Sequence, residues 1–109
     1  MVILMDKNYS EVLPKVQTQY FGSIREAARK NGEDIDLISD TTAYQLLQKL
    51  AGDYGEDFRN EIFQGGGEIL RDDLTVTVNG TIVSHTGTAG IKLKQGDVIA
   101  LFSIFPGGG

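Results

Sequence analysis

Val98-Ile99-Ala100-Leu101-Phe102-Ser103-Ile104-Phe105 is apolar at both parities and runs directly into Pro106-Gly107-Gly108-Gly109. Side chains of a strand point alternately to the two faces of its sheet, so a strand apolar in both sets needs cover on both faces. That requirement puts residues 98–105 at the centre of a sheet. Alternation divides the strand into Val98, Ala100, Phe102 and Ile104 on one side and Ile99, Leu101, Ser103 and Phe105 on the other. Periodicity leaves open which set faces the interior. As a working assignment, Phe102 and Ile104 join the core, and Phe105, Leu101 and Pro106 belong to a surface available to a partner.

Working outward from this strand, Gln95-Gly96-Asp97 is a turn and Gly90-Ile91-Lys92-Leu93 a short segment before it. Leu74, Val76 and Val78 alternate with Thr75 and Thr77, and Thr81-Ile82-Val83 returns after Asn79-Gly80. Asn-Gly is the pair a two-residue type I′ hairpin prefers, because both residues must take positive φ. Further back, Ala43, Leu46, Leu47, Leu50, Ala51 and Tyr54 recur at steps of three and four. This is the apolar stripe of a helix packed on a sheet. Thr42 with Gln45 forms a capping box at its start, and Gly55 ends it. Another turn or two of helix is expected over Asp57–Phe63, then a flexible loop over residues 64–68.

At the front, Val16, Thr18 and Tyr20 alternate with Gln17 and Gln19 from Lys15 to Phe21, which predicts a strand closed by Gly22. Ser23 and Glu26 fit a second capping box. The short helix it opens should run through Ala27 and Ala28 to a stop at Asn31-Gly32, and Asp34–Ile38 is a short strand. The order suggests an α+β fold: a mixed sheet with one main helix packed on one face. For the first and last strands to be neighbours they must run parallel, with a helix in the crossover. Residues 1–14 read as an N-terminal extension, 15–106 as one domain and 107–109 as a glycine tail.

A chain of 109 residues, 40% hydrophobic, supports one domain with one core. It contains no cysteine, which removes disulfides, thiolate metal sites and a thiol nucleophile. A net charge of −5 disfavours nucleic acid, whose phosphates are bound by excess Lys and Arg. Met1-Val2-Ile3-Leu4-Met5 is too short for a signal-peptide core, and no apolar run approaches a membrane span. The expectation is a cytoplasmic protein with neither membrane nor nucleic-acid partner.

Several residues together resemble a family. The first strand followed by Phe21-Gly22-Ser23-Ile24-Arg25-Glu26-Ala27-Ala28 is similar to the start of the molybdopterin-synthase small subunit and its relatives. So are Val78-Asn79-Gly80, Leu93-Lys94-Gln95-Gly96-Asp97-Val98, and Phe105-Pro106 leading into terminal glycines. The resemblance spans roughly residues 15–109. It points to the ThiS/MoaD-like sulfur carriers and the archaeal ubiquitin-like small modifiers. It implies the ubiquitin-like β-grasp fold and a chemistry located at the main-chain carboxylate of Gly109, delivered by Gly107 and Gly108. In the family an adenylating enzyme resembling the ubiquitin-activating enzyme uses ATP and a sulfur donor to convert that carboxylate to a thiocarboxylate. The sulfur then passes to an acceptor such as the large subunit of molybdopterin synthase. The alternatives are a modifier that forms isopeptides through Gly109 and a β-grasp binding module with an inert tail.

The residues themselves support the tail's role. Glycine has no side chain and the widest backbone freedom, so a triple-glycine end can thread a narrow channel. Pro106 fixes its own φ and biases Phe105 to extended geometry. Other candidates carry less. Gly65-Gly66-Gly67 lacks the Lys-Ser/Thr of a phosphate loop. His85, the one histidine, sits between Ser84 and Thr86 and is expected to be solvated. Asp34 with Asp36, Asp72 with Asp73, and the basic Arg25, Arg29 and Lys30 read as solvated surface. No catalytic constellation, metal site or bound cofactor is expected.

Overall fold

The structure, a computed structural model, describes residues 13–65 and 67–103. Strand β1 (Lys15–Tyr20) leads through helix α1 (Gly22–Ala28) to β2 (Gly32–Asp36). Helix α2 (Ala43–Tyr54) and helix α3 (Glu56–Ile62) follow, then a small hairpin of β3 (Phe63–Gln64) and β4 (Ile69–Leu70). The chain continues through β5 (Leu74–Val78), β6 (Thr81–Val83), a 3-10 turn over Thr86–Gly90, and β7 (Val98–Ser103). The main sheet has the order β2-β1-β7-β5-β6. The strand expected at the centre is at the centre, and it runs parallel to β1 in the register Gln17↔Val98 to Tyr20↔Leu101. Its other neighbour, β5, is antiparallel, with Leu74 opposite Ser103.

Helix α2 begins with the capping box read from the sequence. Thr42 Oγ1 accepts from the Gln45 amide, and Gln45 Oε1 accepts from the Thr42 amide. Ala43, Leu46, Leu47, Leu50 and Ala51 are all buried, and they meet Val16, Tyr20, Val76, Ile99 and Leu101 from the sheet in one core. At the hairpin, Asn79 (φ 52°) and Gly80 (φ 84°) take the positive φ that a type I′ turn demands.

Three local expectations are corrected. First, α1 has no side-chain cap: Phe21 occupies the N-cap position, and the Ser23 hydroxyl donates instead to the Glu61 carboxylate at 2.6 Å. The helix also ends earlier, at Arg29 in the left-handed region (φ 63°), which frees Gly32 to open β2. Second, the main-sheet strand after α1 covers Gly32–Asp36 rather than Asp34–Ile38. Gly32 pairs with Gln19, and a Cβ there would lie 2.2 Å from the Thr18 carbonyl oxygen, so the close pairing itself demands glycine. Third, the two faces of β7 are exchanged. Ile99 and Leu101 point into the core, whereas Phe102 is only partly buried and stacks on Phe21 away from it. Ile104, the other residue assigned to the core, lies outside the described residues.

Candidate functional site at the end of the central strand

Strand β7 is the last described element before the tail in sequence, and its end is held differently on its two sides. On the β5 side, Phe102 and Ser103 still have strand partners, Thr75 and Leu74. On the β1 side, regular pairing stops at Tyr20↔Leu101. Phe21 carries the contact one residue further. It keeps extended geometry (φ −129°, ψ 155°), its amide donates to the Leu101 carbonyl at 3.1 Å, and its ring lies on that of Phe102. The ring centroids are 4.5 Å apart with planes inclined by 1°. Gly22, at φ +61°, then turns the chain off the sheet into α1, a conformation that any side-chain-bearing residue would hold under strain.

The sheet face opposite the helices is built from Gln17 and Gln19 on β1, Val98, Ala100 and Phe102 on β7, Thr75 and Thr77 on β5, and Ile82 on β6, as the registers require. Phe21 is 39% exposed and Ile82 72%. Phe21, Phe102 and Ile82 are the large apolar groups this face leaves exposed or partly exposed, set among its Gln and Thr side chains.

Of the residues singled out from the sequence, Leu101 is corrected. It is fully buried (0% exposed), packed in the core, and cannot touch a partner without unfolding the sheet. Phe105, Pro106, Gly107, Gly108 and Gly109 lie outside the described residues, as does almost all of the 1–14 extension. The sequence reading missed Phe21 and Ile82 as surface groups. The signal for Phe21 was available: it continues the parity of Gln17 and Gln19, the open-face set of β1.

His85 is not the solvated side chain expected. Extending the β5–β6 register (Val78↔Thr81, Val76↔Val83) by two residues sets His85 opposite Leu74, but β6 stops at Val83. The His85 ring takes over from the missing strand, Nε2–H donating to the Leu74 carbonyl at 2.7 Å. Arg71 and Asp73, just before β5, form a bidentate pair with both nitrogen–oxygen distances 3.0 Å. The Arg71 guanidinium holds the Asp73 carboxyl below its ordinary value.

Glu33 is a second polar centre, on the edge strand β2. It accepts hydrogen bonds from the Tyr20 hydroxyl at 2.8 Å, from the Tyr54 hydroxyl, and from Lys30 Nζ at 3.3 Å. Desolvation works to raise the Glu33 carboxyl, but these donors outweigh it and hold the group below its ordinary value. Burial, reinforced by this carboxylate, pushes the Tyr20 phenol far up, so it stays protonated as a donor. These groups are fully matched by one another, which is how a structural network looks. Among the described residues no cluster of His, Asp or Glu has the makings of a metal site. No helix among them is long and apolar enough to cross a membrane.

Residues 18–108 match the model of the ThiS family. A putative molybdopterin converting factor, subunit 1, from Pyrococcus furiosus is 30% identical, with 84% of this chain and 99% of that one covered and a TM-score of 0.66. Small archaeal modifier protein 1 of Haloferax volcanii is 25% identical over 84% of this chain and 99% of its own, with a TM-score of 0.71. The Methanosarcina acetivorans small archaeal modifier protein 1, at 22% identity, covers 86% of this chain and 96% of its own and supports the fold with a TM-score of 0.72. Comparison with curated protein sequences gives no match. The architecture is the ubiquitin-like β-grasp.

Proposed function

This chain belongs to the ThiS family of ubiquitin-like carrier proteins, and from that premise we propose that it carries sulfur as a thiocarboxylate on Gly109. The observation that supports this reading most directly is the extent of the family match: it runs through residue 108 and so takes in Phe105, Pro106, Gly107 and Gly108. The resemblance therefore includes the tail as well as the globular part.

A carboxylate is a poor electrophile and needs activation. An adenylating enzyme joins a Gly109 carboxylate oxygen to the α-phosphorus of ATP and expels pyrophosphate. The terminal sulfur of a persulfide donor then attacks the carbonyl carbon and expels AMP, and a thiol cleaves the S–S bond of the resulting acyl disulfide, leaving the thiocarboxylate on Gly109 and a disulfide on the donor side. The carrier contributes no acid, base or metal to these steps. It supplies the carboxylate, a side-chain-free approach to it, and a surface that docks the partner. The partly exposed Phe21, Phe102 and Ile82 suit that docking, with Phe105 and Pro106 from the tail segment. Likeness to a putative molybdopterin converting factor makes molybdopterin synthesis the first choice of acceptor pathway. Likeness to a small archaeal modifier protein supports a second reading, in which a lysine amine attacks the activated carbonyl and forms an isopeptide.

The test is a change at the tail alone. One residue added after Gly109 should abolish adenylation, because the carboxylate would sit about 3.5 Å too far along an extended chain. Gly108→Val should impair it by adding bulk and restricting the backbone. The melting temperature should hardly move in either variant. Normal adenylation of the untrimmed, extended chain would refute the reading.

A further inference from the structure

We propose that Asn31 is a site of spontaneous deamidation, a modification that the fold permits there and blocks at Asn79. The inference stands apart from the carrier reading. Asparagine precedes glycine at Asn31-Gly32 and again at Asn79-Gly80. The chemistry needs only water. The main-chain nitrogen of the glycine attacks the side-chain carbonyl carbon of the asparagine. A C–N bond forms, and the side-chain nitrogen takes the amide proton and leaves as ammonia. Water then opens the cyclic imide at either carbonyl. The product is aspartate or its isoaspartyl isomer, in which the main chain runs through the side-chain carbons. Glycine in the second place favours the attack, because no side chain shields its nitrogen and its backbone turns freely.

Asn31 and Asn79 are both exposed, so access does not separate them. Their hydrogen bonds do. The Asn79 carboxamide is held at both ends: Oδ1 accepts from the Val98 amide at 2.9 Å, and Nδ2 donates to the Asp97 carboxylate at 2.9 Å. A carboxamide can accept and donate at once, which a carboxylate cannot. Attack by the Gly80 nitrogen would have to swing this group away from both partners. Among the described residues no group bonds the Asn31 carboxamide; the bonds around it join Tyr20 and Lys30 to Glu33. The Asn31 main-chain carbonyl accepts from the Tyr20 amide at 2.8 Å, in register with the β1–β2 ladder. Alternation along that ladder then turns the Gly32 amide away from β1, toward the outer edge of the sheet. The attacking nitrogen is therefore not tied to the neighbouring strand. Either product adds a carboxylate beside Glu33 and Asp34. The isoaspartyl form also lengthens the main chain by one carbon just before Gly32, where the Thr18 carbonyl leaves no room even for a Cβ. Pairing at the start of β2 should loosen, and the melting temperature should fall.

The experiment ages the full chain in neutral buffer below its melting temperature and, in parallel, in concentrated urea. Peptide mapping with mass measurement follows each site. In buffer, Asn31 should convert while Asn79 converts more slowly by roughly tenfold or more, the advantage that a charge-assisted hydrogen bond gives the held carboxamide over the released one. In urea the two sites should convert at similar rates, since the dipeptides are the same. Asp97→Ala removes one holding group and should speed conversion at Asn79 in buffer without changing that at Asn31. Asn31→Gln, whose longer side chain would have to close a larger ring, should abolish conversion at that position and keep the melting temperature of the aged sample. Equal rates at the two sites in buffer would overturn the proposal. So would conversion at Asn31 that occurs in urea and not in buffer. If Asp97→Ala does not fold, the wild-type comparison of buffer with urea decides alone.

Discussion

Leu101 shows how one residue's parity changes its role. On the open face it would be a docking group; buried in the core, it is a stability residue. Leu101→Ala should cost about 2–5 kcal/mol, the range for emptying a core leucine site, and chemical denaturation will show it as a lower midpoint. Any loss of partner binding in that variant would follow from the damaged fold. Gly32 is constrained as tightly from the opposite direction. A methyl group there meets the Thr18 carbonyl at 2.2 Å, so Gly32→Ala should destabilise by about 1–3 kcal/mol, read again as a shift in denaturation midpoint. Glu33 predicts a pH dependence. Its folded carboxyl lies below the ordinary value of 4.5, so its contribution is fully present above about that pH and is lost as pH falls through the folded value. The group is partly exposed, and solvent screening keeps the contribution small. Glu33→Gln should therefore flatten the acid side of the stability–pH curve while leaving its slope near pH 8 unchanged.

At the scale of elements, those with strong periodic signals were legible and those decided by tertiary fit were not. The α2 stripe, its Thr42/Gln45 box and the Asn79-Gly80 turn each carry their cause in local sequence. Leu47→Ala, at a fully buried position on that stripe, should cost about 2–5 kcal/mol; an unchanged melting temperature would contradict the packing of α2 on the sheet. The start of α1 was misread because Ser23 finds Glu61 on α3, a partner 38 residues away that no capping rule anticipates. The parity of β7 was misread because both of its sets are apolar; only its neighbours' registers decide which is inside. The role of His85 was likewise hidden, since it depends on where β6 stops. His85→Ala leaves the Leu74 carbonyl without that donor and should lower stability by about 1–2 kcal/mol, measurable as a drop in urea midpoint.

For the whole molecule, the central place of the last strand followed from its apolar residues at both parities, and its parallel run was the condition for lying beside the first strand; the order of the remaining strands and the open face of β7 came from the structure. The site was legible only in part. Glycines before a carboxylate mark where chemistry can happen, whereas the Phe21–Phe102 stack depends on a contact between residues 21 and 102 that no local pattern announces. In the proposed function the labour is divided: the core and its Glu33 and His85 networks keep the sheet intact, the open face with Phe21, Phe102 and Ile82 is the surface proposed for a partner, and the Gly109 carboxylate is the proposed reacting group. The most direct test of this account is the intact mass of the chain after incubation with its cognate activating enzyme, ATP and a sulfide donor, followed by fragmentation to locate any change. The account predicts a gain equal to the difference between one sulfur and one oxygen atom, confined to the fragment ending in Gly109. An unchanged mass, or a sulfur atom located anywhere else in the chain, would contradict it.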